Sequence, residues 1–190
     1  MQPEQIVERF RAGDQSAVVE LIDWFYPRVY AFLRRLTGNE SDAADLTQRT
    51  FGRVWQALPG FSGRSTVGSW IHSIAYHTYI DWRRGNHRLE FRSPQWWAER
   101  VAVEPKPDDL VASRDLRAKV YAMVDDLKSD LRETVHLHYY QELTLEETAD
   151  AMNVAVSTVK YRLRQALLEL EKNVNPDRTA TDETAATKKP

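Results

Sequence analysis

Residues 143–172 read LTLEETADAMNVAVSTVKYRLRQALLELEK. Thr144 followed by Glu147 is a capping box, a reciprocal pairing that satisfies free N–H donors at a helix start. Leu145, Ala149 and Met152 form a short apolar face. Asn153 stands where the chain must turn sharply, and Asn tolerates positive φ better than most residues. Val154 plugs the corner. The following helix is expected to bury Val159, Leu163, Ala166 and Leu167 and to show Ser157, Thr158, Lys160, Tyr161, Arg164 and Gln165 to solvent. The pattern is a helix-turn-helix. From Ser157 to Gln165 there are three positive charges and no negative one. Such a helix presents its N-terminal half to a DNA major groove, where hydroxyls meet phosphates and Lys, Arg and Gln reach base edges. An ordinary helical hairpin with a solvated polar face has the same pattern. The acidic residues Glu142, Glu146, Glu147 and Asp150 would face away from DNA, which reconciles a DNA reader with a formal net charge of −2.

Upstream, the helical period dominates and strand-like alternation is nearly absent. Val18, Leu21, Ile22, Phe25, Val29, Phe32, Leu33 and Leu36 recur at three and four, and Thr37-Gly38-Asn39 ends that helix with Gly as a left-handed stop. A second helix starts near Ser41, the expected N-cap, with Asp42 and Asp45 near its positive end. Its inward face reads Ala43, Leu46, Thr50, Phe51, Val54 and Leu58; its outward face reads Asp45, Gln48, Arg49, Gly52 and Gln56. The loop from Pro59 to Ser65 is dense in turn formers. A third helix runs from about Thr66 to Arg84, with Ile71, Ile74, Ala75, Thr78 and Trp82 inward.

The period then fails. Pro94, Pro105 and Pro107 interrupt a polar, acidic stretch that reads as a linker, with Trp96 and Trp97 as docking candidates. A second helical block follows, with Leu116, Val120, Met123, Val124 and Leu127 on one face and a short helix from Leu131. The Thr- and Ala-rich end has no apolar period and reads as disordered. The expectation is an all-α chain of two small helical domains joined by a flexible linker: 1–87, a linker 88–113, a helix-turn-helix domain 114–173, and a tail 174–190.

The chain has no cysteine, which removes disulfides, thiolate zinc sites and cysteine nucleophiles. His136 and His138 point to different sides of a helix, and His72, His77 and His87 lack ligand spacing. No phosphate loop, nucleophile motif or paired-carboxylate site stands out. The expectations are no metal, no cofactor and no catalytic site. MQPEQIVERF lacks the features of a signal peptide, and no stretch approaches about 18 uninterrupted apolar residues, so a cytoplasmic chain without membrane insertion is expected.

Several motifs now align with one family. Residues 42–51 (DAADLTQRTF), 54–58 (VWQAL), Phe61 and Gly63, Ser69-Trp70-Ile71, Ile74-Ala75 and 81–84 (DWRR) resemble region two of extracytoplasmic-function (ECF) sigma factors. Leu127, Arg132-Glu133, Leu137, Leu143-Thr144, Glu147, Ala149, Thr158-Val159-Lys160 and Arg162-Leu163 resemble region four of the same family. The two resemblances come in the family's order, with its spacer, and cover about residues 15–172.

The resemblance implies a non-enzymatic factor for bacterial transcription initiation. Asp42, Asp45, Gln48, Arg49 and Arg53 would dock on the β′ clamp coiled coil of core RNA polymerase, with the β flap as a further partner. The loop would read the −10 promoter element through Phe61, Ser62, Gly63, Arg64 and Ser65, admitting a base flipped from the stack. Tyr76, His77, Tyr79, Arg83 and Arg84, followed by His87, Arg88 and Arg92, would follow the separated strand by stacking and charge. Ser157, Thr158, Lys160, Tyr161, Arg162, Arg164 and Gln165 would read the −35 element as duplex. The linker would thread toward the polymerase active centre, and an anti-sigma factor would hold the protein inactive.

Several residues depart from the family pattern. Arg49 and Arg64 stand where acids are usual, Val67 where an aromatic is usual, and Ser73 and His77 where Arg and Asn are common. Lys128 replaces a common Pro, Glu142 a common Gly, and Ala155 the usual hydroxyl or Pro before the recognition helix. A stand-alone helix-turn-helix regulator would leave the first block unexplained. A protein-interaction adaptor would leave the basic face unexplained.

Overall fold

The computed structural model describes residues 2–85 and 119–174. The expected linker, with Trp96 and Trp97, lies outside these residues, as do His87, Arg88, Arg92, Leu116 and nearly all of the expected tail. Among the described residues every regular element is helical. In order they are α1 (Pro3–Arg11), α2 (Ala17–Thr37), α3 (Glu40–Ala57), a 3₁₀ turn (Leu58–Gly60) and α4 (Val67–Gly85). After the gap come helical residues 119–125, α5 (Ser129–Val135), a π-helical turn (His136–Tyr140), α6 (Leu145–Met152) and α7 (Val156–Val174). Of the described residues, 2–85 and 136–159 belong to one compact unit, and 119–135 and 160–174 to another.

In the first unit the apolar period of α2 is the spine. Val18, Leu21, Phe25, Val29, Phe32, Leu33 and Leu36 are all buried. Burying a side chain of this size stabilises by roughly 1.5–3 kcal/mol. Gly38 ends the helix at φ 72°, and its N–H donates to the Arg34 carbonyl at 3.0 Å. That left-handed backbone is one Gly adopts without Cβ strain. The inward face read for α3 is buried at all six positions, while Asp45, Gln48, Arg49, Gly52 and Gln56 are exposed. The cap of α3 differs from expectation. Asn39, not Ser41, is the N-cap, and its Oδ1 accepts from the N–H groups of Ser41 and Asp42 at 2.8 and 3.2 Å.

The helix α1 was not anticipated. Pro3 sits in its first turn, Gln2 and Gln5 cap it reciprocally, and Ile6 and Val7 enter the core. Arg9 ties its end to the chain that follows, pairing with Asp14 at 2.5 Å and Glu20 at 2.9 Å. The same core contains Leu46, Val54, Ile71 and Ala75, and also Leu137, Leu143, Ala151 and Met152, with Val154 packed against it. Helix α6 therefore packs against α4 on one continuous apolar cluster.

Buried threonines settle their hydroxyls locally. Thr47, Thr50, Thr134 and Thr148 donate to the carbonyls of Ala43, Leu46, Asp130 and Thr144, four residues back, at 2.7, 2.7, 2.6 and 2.7 Å. His72 is also buried, with Nδ1 2.8 Å from the Gly68 carbonyl and its ring edge-on to Phe32. Burial pushes its pKa below the ordinary range, so the imidazole is held neutral.

In the second unit Val124, Leu127, Leu131, Val135, Leu163 and Ala166 are buried. Two expectations fail there. Val120 is exposed, and so is Leu167, together with its neighbour Leu168. Between the helices of the first unit, Glu142 holds φ 58°, a left-handed backbone that strains a side-chain-bearing residue.

Candidate nucleic-acid interface

The helix-turn-helix forms as its residues require. Thr144 Oγ1 accepts from the Glu147 N–H at 3.1 Å, and the Glu147 carboxylate accepts from the Thr144 N–H at 3.0 Å. Asn153 takes the left-handed conformation at φ 53°, and the Val154 N–H closes the turn on the Ala149 carbonyl at 3.0 Å. The Ala155 carbonyl accepts the N–H groups of Thr158 and Val159 at 2.9 and 3.2 Å as α7 begins. Ser157, Lys160, Tyr161 and Arg164 form an exposed stripe on α7. Thr158, Arg162 and Gln165 form a neighbouring half-buried one. Arg162 is held by an ion pair, its Nε 3.5 Å from the half-exposed Asp130 carboxylate, rather than pointing freely to solvent.

The loop before α4 divides into an anchor and an exposed tip. Phe61 is buried, 4.8 Å from the Trp70 ring, and the Arg11 guanidinium donates to its carbonyl. Its ring holds the loop down against α4. Ser62, Gly63 and Arg64 are exposed and Ser65 half-buried. Gly63 at φ 73° gives the tip its left-handed bend. Thr66 then starts α4: its Oγ1 accepts from the Ser69 N–H at 3.1 Å and lies 2.6 Å from the Ser69 hydroxyl. The same Oγ1 donates to the Glu147 carboxylate at 3.1 Å, a partnership no local sequence signal announced.

On α4, His77 and Arg84 are exposed, and Arg83 is half-buried with its guanidinium 5.5 Å from the Tyr79 ring centroid. Tyr76 and Tyr79 are corrections. Both rings are core residues, 7% and 3% exposed, and cannot stack on bases in this arrangement.

On α3, Asp45, Gln48 and Arg49 are exposed and Asp42 half-buried. Asp45 and Arg49 pair across one turn at 2.7 Å. Arg53 reaches back to α4, 2.9 Å from Asp81 and 3.2 Å from the Thr78 hydroxyl, so its charge braces two helices as well as facing solvent. Trp55, 49% exposed, joins this face. Among the described residues no cluster of His, Asp and Glu is arranged to hold a metal ion, and no helix is long and apolar enough to cross a membrane.

Comparison with known proteins agrees with this geometry. The chain matches sigma-70 region 2 over residues 21–89 and sigma-70 region 4 over residues 117–170. It is 32% identical over 163 residues to the ECF RNA polymerase sigma factor SigE of Mycolicibacterium smegmatis, which covers 83% of this chain and 63% of that protein. It is 29% identical over 169 residues to the RNA polymerase sigma factor YlaC of Bacillus subtilis, covering 86% and 95% of the two chains. The chain thus spans less than two thirds of the first relative and nearly all of the second. Among solved structures, the sigma factor RpoE in complex with the anti-sigma factor NepR from Bartonella quintana shares the fold with a TM-score of 0.65 at 20% identity, covering 85% of this chain and 99% of that one. CnrH, solved with the cytosolic domain of CnrY, gives 0.64 at 22% identity, covering 90% and 96%. With two sigma-70 regions matched in order and ECF sigma factors similar along most of its length, the chain belongs to the extracytoplasmic-function branch of the sigma-70 family.

Proposed function

We propose that this protein binds core RNA polymerase and directs it to promoters, reading a −35 element as duplex and opening and reading a −10 element. The observation that carries the reading is one chain with two separate sets of exposed polar side chains. Ser157, Lys160, Tyr161 and Arg164 line the outward stripe of a helix-turn-helix, and Asp45, Gln48 and Arg49 line an outward face of α3. The first suits a major groove, and the second suits a protein partner. Block 1–87 takes the polymerase and −10 roles, 88–113 connects, and block 114–173 takes the −35 role.

The mechanism uses binding energy with no covalent step. Extruding a base costs a few kcal/mol. The exposed Ser62, Gly63 and Arg64 supply small donors, close backbone approach and a cation where that base would arrive. His77, Arg83 and Arg84 continue the path as cations and donors. Phe61, Tyr76 and Tyr79 support it from the core. RNA synthesis belongs to the polymerase, and the protein acts in the cytoplasm without cofactor. An anti-sigma factor is a further partner, supported by the fold shared with a factor solved in such a complex.

The test is run-off transcription with purified core polymerase and a promoter library, with and without the protein. Protein-dependent transcripts sharing two upstream elements are expected. Active core that gains neither binding nor transcripts would refute the proposal and leave a stand-alone duplex-binding regulator to be tested.

A further inference from the structure

The loop before α4 is tied to a helix that lies outside the sigma-70 match. That match begins at residue 21, whereas α1 ends at Arg11. From there the Arg11 guanidinium donates to the carbonyl of Phe61, 50 positions along the chain, and lies 5.9 Å from the centroid of the Phe61 ring. A basic residue in the last turn of a helix is favoured by the backbone dipole, and Arg9 and Arg11 both meet that description. The dipole accounts for the charge. It does not account for a bond to a carbonyl on a distant loop.

The bonded oxygen has a particular place. Phe61 is held in two other ways: its N–H donates to the Leu58 carbonyl at 3.1 Å, and its ring packs 4.8 Å from the Trp70 ring. Neither contact fixes the peptide that follows. The Phe61 carbonyl lies in the planar unit joining Phe61 to Ser62, so a donor on that oxygen sets how the exposed tip leaves its anchor. The donor is itself fastened. Ile6 and Val7, each 2% exposed, seat α1 in the core, and Phe10 packs against it. Arg9 pairs with Asp14 and Glu20. The N–H groups of Ala12, Gly13 and Asp14 close the helix end on the carbonyls of Glu8, Phe10 and Arg9 respectively.

We propose that Arg11 is a positioning residue for base capture: from α1 it holds the Phe61–Ser62 peptide so that Ser62, Gly63 and Arg64 are ordered before a flipped base arrives. This rests on the −10 role proposed above for the loop. A loop ordered in advance loses less freedom on binding, so the effect is felt at the captured base and not at the duplex reader or the polymerase.

The test uses the full chain with core polymerase and a labelled single strand carrying the −10 sequence that the promoter library supplies. A companion series replaces one base at a time by an abasic site, and fluorescence anisotropy gives the affinities. With the wild type, one abasic position should weaken binding most, and the ratio of intact to abasic affinity there measures capture. Arg11→Gln should lower that ratio several-fold and leave affinity for the abasic strand unchanged. Arg11→Lys, which keeps the charge and a donor, should recover part of the ratio. An unchanged ratio in Arg11→Gln overturns the proposal. So do equal losses on both strands, which would make the role of Arg11 merely structural.

A second measurement needs no promoter. The chain has no cysteine, so a spin label at Ser62→Cys reports the exposed tip alone. In the free chain the label should be more mobile with Arg11→Gln than with Arg11 in place, and identical spectra overturn the positioning. Wild-type protein on core polymerase that binds intact and abasic strands equally at every position refutes the −10 reading itself, while the label still decides whether Arg11 orders the tip.

Discussion

Acid should loosen this fold through His72. The side chain is 3% exposed, on α4. Desolvation is the dominant influence and disfavours the imidazolium; the Gly68 carbonyl opposes it, the positive charge of Arg28 adds to it, and the Gln141 amide opposes it more weakly. The folded pKa is therefore depressed below the unfolded value of about 6.5. Between those two values the unfolded chain holds a proton that the folded chain refuses, so stability falls as pH drops through that window. The slope from one group is at most about 1.4 kcal/mol per pH unit. From pH 7 to pH 5 the loss is bounded at about 2 kcal/mol. Urea unfolding followed by circular dichroism across this range measures it, with His72→Phe as the comparison. The variant loses the bond to Gly68 at every pH, which offsets its curve without tilting it. Glu147 titrates in both proteins and cancels in the difference: its hydrogen bonds from Ser69, Thr144 and Thr66 outweigh the desolvation that would raise its pKa. The expected result is a wild-type curve that declines more steeply than the variant's below about pH 6.5. Parallel curves would refute the argument.

Three further outcomes are expected. Asn39→Ala should destabilise the protein by about 1 kcal/mol in thermal or urea unfolding, because the N–H groups of Ser41 and Asp42 lose their shared acceptor. Lys160→Ala should reduce the salt dependence of duplex binding by about one unit of log–log slope, whereas Arg162→Ala, which removes the ion pair with Asp130, should leave that slope unchanged; titrations at several salt concentrations separate the two. Glu142→Gly should stabilise by roughly 1 kcal/mol, since the backbone at φ 58° strains any residue with a Cβ, and the urea midpoint reports it.

What the sequence made legible follows from the range of the interaction. The faces of α3 are set by a period within one helix, so its six inward positions and its outward Asp45, Gln48, Arg49, Gly52 and Gln56 can be read directly. The capping box at Thr144 and the left-handed Asn153 are likewise local chemistry. Ser41 was a reasonable cap by residue type, but Asn39 has the same chemistry two places earlier, and only backbone geometry decides between them. The helix α1 is nine residues long, and its apolar set of Ile6, Val7 and Phe10 is too brief for a strong period.

The site residues divide the same way. The resemblance implies base stacking for Tyr76 and Tyr79, as rings among cations. Their spacing from buried His72 and Ala75 places them on the inward side instead. Arg162 shares the half-buried stripe of Thr158 and Gln165, which a projection of α7 reveals once its inward side is fixed. The bond between Thr66 and Glu147 spans 81 positions in the chain, and nothing in either neighbourhood encodes it.

The self-bonded threonines have a consequence for how such a core ages in evolution and opens in use. Because Thr47, Thr50 and Thr148 satisfy their hydroxyls on carbonyls one turn back, these bonds do not dictate the register of a neighbouring helix. Pulling a neighbouring helix away leaves those hydrogen bonds intact, so separation exposes apolar surface without stranding a donor. Exchange of packing partners at these threonine positions is therefore governed by shape.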